Sequence, residues 1–423
     1  MEIFRYEVFS FTQNTPKLED IKYSKIFIHN ENEDCLIEYE KLYASEIGKG
    51  EALAFASARM AFYSLMKHLR IGPGDEVIIP AFTCSVMINA IIKTGATPIF
   101  CDIDRETFGT DPESVKKVIS EKTKMVIAQH TFGYPCEVDK IKLIVQQVQA
   151  FVLEDCALSL GTIYKGASLG DLADAAIFST DHAKPINTLI GGVLYSKNKN
   201  LMRDLRVEQS LLPNLSTSKQ KAIWRRIKLE SKFNGSKSQR VIRILDLVAP
   251  LLYKLSKKER AFLDGDNNPK TVTSTYPYPA RFPQFLAYIG IQQLKAWGHV
   301  KGERKKNLNN LISVLLNFES SPMFPRTVIE QKDSIVPLRL AWINMNKGIQ
   351  YKKLSSFLAI EQIWFRKPII GSNFELADFG YIPGSCPIAE EISRSIINLP
   401  ILDNQQQAQR LIDRIEVLYS KVV

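Results

Sequence analysis

Three polar residues follow apolar runs at places where a side chain can do chemistry. Asp155 ends the run AFVLED (150–155), and Ser179 and Lys184 lie in FSTDHAKP (178–185). A lysine and an acid at neighbouring strand ends suit pyridoxal phosphate (PLP), because the lysine forms a Schiff base with the aldehyde and the acid pairs with the protonated pyridine nitrogen. Both residues also have ordinary interpretations, Asp155 as a helix cap and Lys184 as a solvated surface lysine. The residue types alone leave these alternatives open.

The elements around these residues indicate an α/β fold. Between about residues 50 and 196, short apolar runs alternate with amphipathic stretches, which is typical of a mostly parallel sheet covered on both faces. Such sheets bind ligands at the carboxyl ends of their strands. No G-x-G-x-x-G or G-x-x-x-x-G-K-[ST] pattern follows a strand, which disfavours a dinucleotide or P-loop site. The predicted strands are 77–80, 98–103, 125–131, 150–155, 175–180 and 191–196, and the predicted helices are 52–69, 85–93 and 113–119.

Composition narrows the class and the compartment. An apolar fraction of 45% and a charged fraction of 24% are typical of a globular protein, and no run of about 18 apolar residues suggests a membrane span. The N-terminus lacks the pattern of a secretory signal. Six scattered cysteines without C-x-x-C spacing argue against a metal site and against a disulfide framework. We therefore expect a protein of the reducing cytoplasm.

Positive charge is concentrated in one segment. Residues 197–260 hold 17 Lys or Arg and 5 Asp or Glu, a net +12, whereas the whole chain carries +10. The segment is interpreted as an insertion packed on the body, as a membrane-surface element, or as an attractor of a nucleotide diphosphate. No nucleic-acid module surrounds it, so nucleic acid is not expected as a partner. The apolar stripe that favours membrane contact comprises Ile242, Ile244, Leu245, Val248, Leu251, Leu252 and Leu255.

Four segments are expected along the chain. They are an N-terminal segment (1–49), a large α/β domain (50–196), a basic helical insertion (197–280) and a small C-terminal α+β domain (281–423).

Five ordered stretches carry a resemblance to a known family. They are RIGPGDEVIIPAFTCSVMINAIIKTGATPIFCDID (70–104), HTFGYPCEVDKI (130–141), EDCALSLGTIYKG (154–166), DLADAAIFSTDHAKPINTLIGGV (171–193) and YIPGSCPIAEEISRSIINLPI (381–401). Together they resemble the nucleotide-sugar aminotransferases of the DegT/StrS-like family, which are PLP enzymes of fold type I.

The resemblance implies a role for each site residue. Lys184 is the Schiff-base lysine and the catalytic acid/base, and Asp155 is the partner of the pyridine nitrogen, with a pKa lowered by the neighbouring pyridinium. The remaining cofactor contacts are Ser179 to the phosphate, the backbone N–H groups of Arg59 and Met60 at the start of a helix, and Cys84 beside the ring.

Several positions depart from the family pattern. Cys84 stands where many relatives stack an aromatic ring on the cofactor, Leu158 where a Gln or His often bonds its phenolic oxygen, and Pro279 where an Asn often reaches the partner subunit's phosphate. His182 is a candidate substitute for a missing polar group, although a structural role for it is also open. Ala56 and Ala58 replace the glycines common in the phosphate turn.

The implied function is amino transfer in the biosynthesis of surface polysaccharides or amino sugars. The amino group comes from a donor, expected to be glutamate, and goes to a keto group of a nucleotide-linked sugar; a homodimer is expected. A PLP-dependent sugar dehydratase and a PLP-binding regulator without catalysis are the alternatives. Dehydratases of this family replace the lysine with histidine, so Lys184 favours amino transfer.

Overall fold

The computed structural model describes residues 33–182, 184–232, 259–263, 274–317, 323–343 and 364–420. The apolar stripe 242–255 lies outside these residues. Within the described residues, no helix combines the length and the apolar character needed to cross a bilayer.

A seven-stranded sheet forms the centre of the protein. Its order is β1-β10-β9-β6-β5-β2-β4, and all neighbours are parallel except that β10 runs antiparallel to both β1 and β9. Strand residues are buried almost continuously because helices cover both faces, as the apolar runs predict. The strands are β1 (Glu51–Phe55), β2 (Glu76–Pro80), β4 (Thr97–Cys101), β5 (Thr123–Gln129), β6 (Phe151–Asp155), β9 (Ala175–Ser179) and β10 (Gly192–Ser196).

Short strands and the C-terminal region complete the β-structure. Strand β12 pairs in parallel with β3, and β11 pairs antiparallel with β13. The short strands are β3 (Thr83–Cys84), β7 (Ile163–Tyr164), β8 (Ala167–Ser168), β11 (Arg339–Ile343), β12 (Ile369–Ile370) and β13 (Ile396–Pro400).

Helices connect the strands and form most of the remaining chain. The longest, α8, spans 33 residues, packs on α1 at one end and on α11 at the other, and buries apolar residues along its length. The helices are α1 (Glu33–Ser45), α2 (Ala58–His68), α3 (Ser85–Thr94), α4 (Pro112–Val118), α5 (Val138–Val145), α6 (Lys199–Ser210), α7 (Thr217–Lys232), α8 (Gln284–Leu316), α9 (Arg326–Glu330), α10 (Pro387–Ser395) and α11 (Gln405–Ser420).

The predicted helix over 52–69 is wrong in its first third. Residues Glu51–Phe55 form β1, which pairs with β10 from Glu51↔Ser196 to Phe55↔Gly192. The helix starts only after Ser57, whose φ of −159° is extended and whose side chain caps the first turn. The helical spacing of Phe62, Leu65 and Met66 is real, but Phe55 belongs to the strand, because the long-range pairing with β10 overrides the local pattern.

The C-terminal region is joined to the sheet by specific contacts. Both carboxylate oxygens of Asp102 accept backbone N–H groups at the start of α10, from Ile388 at 2.9 Å and from Ala389 at 2.8 Å. A carboxylate at a helix N-terminus is favourable because the first N–H groups lack partners within the helix. The four segment boundaries stay a prediction.

Candidate active site

The ends of β6, β9 and β10 bring the predicted site residues to one edge of the sheet. Asp155, the last residue of β6, pairs with Ile177, and Ser179, the last residue of β9, pairs with Gly192. Gly192 also pairs with Phe55 at the end of β1. The carboxyl ends of the parallel strands therefore place Asp155 and Ser179 at the same edge, with the start of α2 beside them.

Lys184 lies in the loop that leaves β9. Its backbone N–H donates to the carbonyl of Asp181 (3.1 Å), and its side chain is partly exposed. Further along the loop, the N–H of Thr188 donates to the carbonyl of Thr180 (2.8 Å), and its hydroxyl donates to the carbonyl of Ile190 (2.7 Å). These contacts tie the base of the loop to the sheet, so Lys184 is presented from a fixed turn.

Asp155 is a buried carboxylate that Lys184 influences. It is 7% exposed, and its Oδ1 accepts the N–H of Ala157 (3.0 Å). Burial raises the pKa of Asp155, while the Ala157 N–H and the charges of Lys184 and His130 oppose that rise. A pyridinium neighbour is expected to lower the pKa of Asp155, whereas burial by the chain's own residues raises this pKa. Among the described residues no hydrogen bond reaches Oδ2, which leaves an acceptor for a cationic N–H.

The start of α2 packs closely against β10, and this junction, where the phosphate is predicted to bind, is here called the anion cradle. A Cβ placed on Gly192 would lie 2.0 Å from the backbone N of Ala58, so only glycine lets the strand approach the helix start this closely. The N–H of Met60 donates to Ser57 O (3.1 Å) and Ser57 Oγ (3.4 Å), so the cap already uses one predicted donor. The phosphate roles of Arg59 and Met60 stay predictions.

A buried hydrogen-bonded pair, His130 and Glu154, lies behind Asp155. His130 Nε2 is 3.0 Å from Glu154 Oε2, and the N–H of His130 donates to the carbonyl of Asp155. Burial opposes a charged imidazole, and Nε2–H donates the hydrogen bond to Glu154. The same bond helps to lower the pKa of Glu154. Glu154 also accepts three backbone N–H groups, from Gly170, Leu172 and Ala173.

The residues around this pair have the composition of a metal site, but the ligand atoms of His130 and Glu154 are already used in hydrogen bonds. His130, Glu154 and Cys156 lie close enough to share an ion. Both imidazole nitrogens are already used, since Nδ1 accepts the N–H of Cys136 (3.1 Å), and Glu154 is bonded as described above. The cluster therefore stabilises the backbone that carries Asp155.

Trp364 is the site residue that the sequence did not indicate. Lys184 Nζ lies 5.3 Å from the centroid of its ring, and the guanidinium of Arg339 lies 4.8 Å from the same centroid. Asn398 fixes the backbone of Trp364, since its Nδ2 donates to the Trp364 carbonyl (3.0 Å). No sequence motif surrounds Trp364, and only the tertiary fold brings it to the loop of Lys184.

Cys84 is covered by residues that follow Trp364 in the chain. Ile370 in β12 pairs with Cys84, and a Cβ on Gly371 would lie 3.1 Å from the Cys84 Sγ. Burial raises the pKa of the Cys84 thiol, and the charge of Lys184 is among the effects that lower it. Cys84 thus lies near Lys184. The aromatic ring beside this lysine belongs to Trp364.

His182 lies in the same loop as Lys184. Its side chain is exposed, and its ring centroid lies 4.9 Å from that of Phe262. The contact connects the Lys184 loop to a residue that follows the basic segment.

Comparison with known proteins identifies the family. The model of the DegT/DnrJ/EryC1/StrS aminotransferase family matches residues 13–238, more than half of the chain. The chain belongs to this family. Family members are PLP-dependent, and the residues at this edge fit PLP: Asp155 offers a buried acceptor, Gly192 lets β10 pack against the start of α2, and Lys184 lies in the loop that leaves β9. The predictions of family and cofactor are confirmed.

Individual relatives of the DegT/DnrJ/EryC1/StrS family agree with this assignment. The spore coat polysaccharide biosynthesis protein SpsC of Bacillus subtilis is 38% identical over 170 residues, 40% of this chain and 44% of SpsC. The match thus spans less than half of that relative.

Two solved structures share the fold of this chain. DesV of S. venezuelae, in complex with a ketimine intermediate, has a TM-score of 0.67 at 19% identity, with 97% of each chain covered. DesI, in the presence of its TDP-sugar product, has a TM-score of 0.67 at 17% identity and covers 98% of this chain and 95% of its own. At these identities the likeness concerns the fold, and the predicted fold type I is confirmed.

Proposed function

We propose that this chain is a PLP-dependent aminotransferase that delivers an amino group to a keto group of a nucleotide-linked sugar. The observation that supports this most is that the buried carboxylate of Asp155 and the loop that carries Lys184 stand at the carboxyl ends of neighbouring strands, in a chain of an aminotransferase family. Bound PLP supplies an electron sink for the carbon that gains or loses the amino group. Lys184 holds the cofactor and moves the proton at that carbon, and Asp155 pairs with the ring nitrogen.

The remaining residues hold and orient the cofactor. Ser179 Oγ and the first N–H groups of α2, at Arg59 and Met60, bind its phosphate, which the positive end of the helix dipole favours. Cys84 lies beside the ring. Burial at the strand ends excludes water and strengthens each of these electrostatic contacts.

The relatives support the proposed substrate class. SpsC is named for polysaccharide biosynthesis, and DesI was crystallised with a TDP-sugar product. We extend both to this chain, and we propose glutamate as the amino donor. The product then enters the biosynthesis of a surface polysaccharide or an amino sugar.

Amino transfer and dehydration give different products. With glutamate and a nucleotide-linked keto-sugar, the product is expected to keep every hydroxyl and gain one amine, with one equivalent of 2-oxoglutarate. The reason is that a lysine at position 184 can recapture the cofactor after each turnover, which closes a two-stage amino transfer. Mass spectrometry of the sugar and enzymatic assay of 2-oxoglutarate measure this; loss of water without nitrogen gain contradicts it.

A homodimer is proposed on the family's fold. Light scattering at the assay concentration should give twice the chain mass of 48.0 kDa. An active monomer under the same conditions would contradict the proposal.

We propose the cytoplasm as the compartment, which agrees with six free cysteines. Membrane contact through 197–260 stays a prediction, since its apolar stripe lies outside the described residues.

A further inference from the structure

Residues 259–263, here called the bridging segment, are bonded to the basic helix α7. Ser218 Oγ donates to Glu259 Oε1 (2.5 Å), and Lys219 Nζ donates to the carbonyls of Arg260 (2.8 Å) and Phe262 (2.6 Å). Lys219 is only 6% exposed. Burying an ammonium group is costly unless acceptors surround it, and here the bridging segment supplies two carbonyl acceptors.

The other side of the bridging segment contacts the candidate active site at two points. The ring of Phe262 lies against His182, two residues before Lys184. The carbonyl of Leu263 accepts a hydrogen bond from Arg59 Nη2 (2.6 Å), at the start of α2. The segment thus spans from the lysine loop to the anion cradle.

The positive charges of α7 divide into an inner and an outer set. Lys219 is buried, and the guanidinium of Arg226 lies 5.3 Å from the centroid of the Phe262 ring. Lys221 and Arg225 are exposed. Part of the net charge of the basic segment therefore serves internal contacts: Lys219 binds the bridging segment, and Arg226 contacts both Phe262 and the buried Glu230 of α7.

We propose that Lys219 is a positioning residue that holds the bridging segment against Arg59 and His182, so that the cofactor is retained when it is not bonded to Lys184. This inference rests on the proposed function. An aminotransferase holds pyridoxamine phosphate (PMP) by non-covalent contacts alone during half of its cycle, so PMP depends more on the anion cradle than PLP does. The bridging segment contacts His182, beside Lys184, and Arg59, at the start of α2. Both of these regions must stay in place while PMP is held.

The test compares PMP and PLP binding to cofactor-free protein by calorimetry. Lys219→Met is expected to weaken PMP binding about tenfold, because a charged donor to two carbonyls is lost. PLP, which also bonds to Lys184, should lose less. Lys221→Met, on the exposed face of the same helix, should match the wild type, and Lys219→Arg should recover most of the PMP affinity.

A second pair of variants covers the case in which Lys219→Met does not fold. Phe262→Ala removes the contact with His182 and is expected to weaken PMP binding in preference to PLP binding. Arg226→Gln should act in the same direction, while Arg225→Gln should have no effect.

Each outcome decides a different claim. Unchanged PMP affinity in Lys219→Met, or in Phe262→Ala when the first variant does not fold, overturns the role of the bridging segment. Equal losses for PMP and PLP also overturn it, since they indicate general damage to the site. Wild-type protein that binds neither PMP nor PLP contradicts the proposed function itself.

Discussion

Lys184→Ala is expected to lower amino transfer by about 10⁴-fold or more while the protein stays folded. The side chain has two tasks in the proposed reaction, holding the cofactor and moving the proton, and no other lysine is proposed for either. Its side chain is partly exposed, and the loop is fixed by backbone contacts such as Lys184 N to Asp181 O, so folding should not depend on it. Steady-state turnover and circular dichroism measure the two effects.

The covalent link provides an independent measurement for Lys184. Borohydride reduction of the PLP-loaded wild type, followed by peptide mapping, should place the cofactor on Lys184 and nowhere else. Lys140→Ala, which removes an exposed lysine paired with Glu137, is the matched control and should keep both turnover and the adduct. An adduct on another lysine, or none after addition of PLP, would remove Lys184 from its proposed role.

Asp155→Asn is expected to fold and to lose turnover by about 10²–10³-fold. The amide keeps an oxygen that can accept the Ala157 N–H, but it carries no charge to stabilise a protonated ring nitrogen. Asp174→Asn is the control, because that residue also accepts one backbone N–H, from Val152, but lies at the opposite end of the strands. Near-normal turnover in Asp155→Asn would mean that Asp155 only caps the backbone by accepting the Ala157 N–H.

The pH dependence of Asp155 provides a second check on the same variant. Burial raises the pKa of Asp155, so its carboxylate is lost by protonation as the pH falls through that raised pKa. Cofactor affinity in the wild type should therefore decline on the acid side. In Asp155→Asn this decline should be absent, because the amide does not titrate.

The sequence predicts most of the central sheet because most of its strands are buried apolar runs. The runs that became β2, β5, β6, β9 and β10 were recognisable without any tertiary information, and Asp155 and Ser179 stand at their ends. β1 was missed because EALAF is short and continues into a helical pattern. Only its pairing with β10, far along the chain, makes it a strand.

The contacts that complete the site depend on long-range packing and were not predictable. Trp364 and Gly371 reach Lys184 and Cys84 from the C-terminal region, and no local pattern encodes that approach. Lys219 looks like any other lysine of a basic amphipathic helix. Its burial is decided by the carbonyls of the bridging segment, which come from about 40 residues later in the chain.

During synthesis the ribosome makes residue 55 long before residue 192. Gly50 and the Tyr195 hydroxyl to which it bonds are 145 residues apart, so at about 5–20 residues per second β1 waits on the order of ten seconds for its partner strand. Over that time β1 is an unpaired apolar strand, the kind of segment that nascent chains must shield from aggregation. The helix start beside it also lacks the Gly192 backbone that closes the cradle. Cofactor capture therefore follows completion of the central sheet, and truncated chains that end before β10 have no cradle for its phosphate.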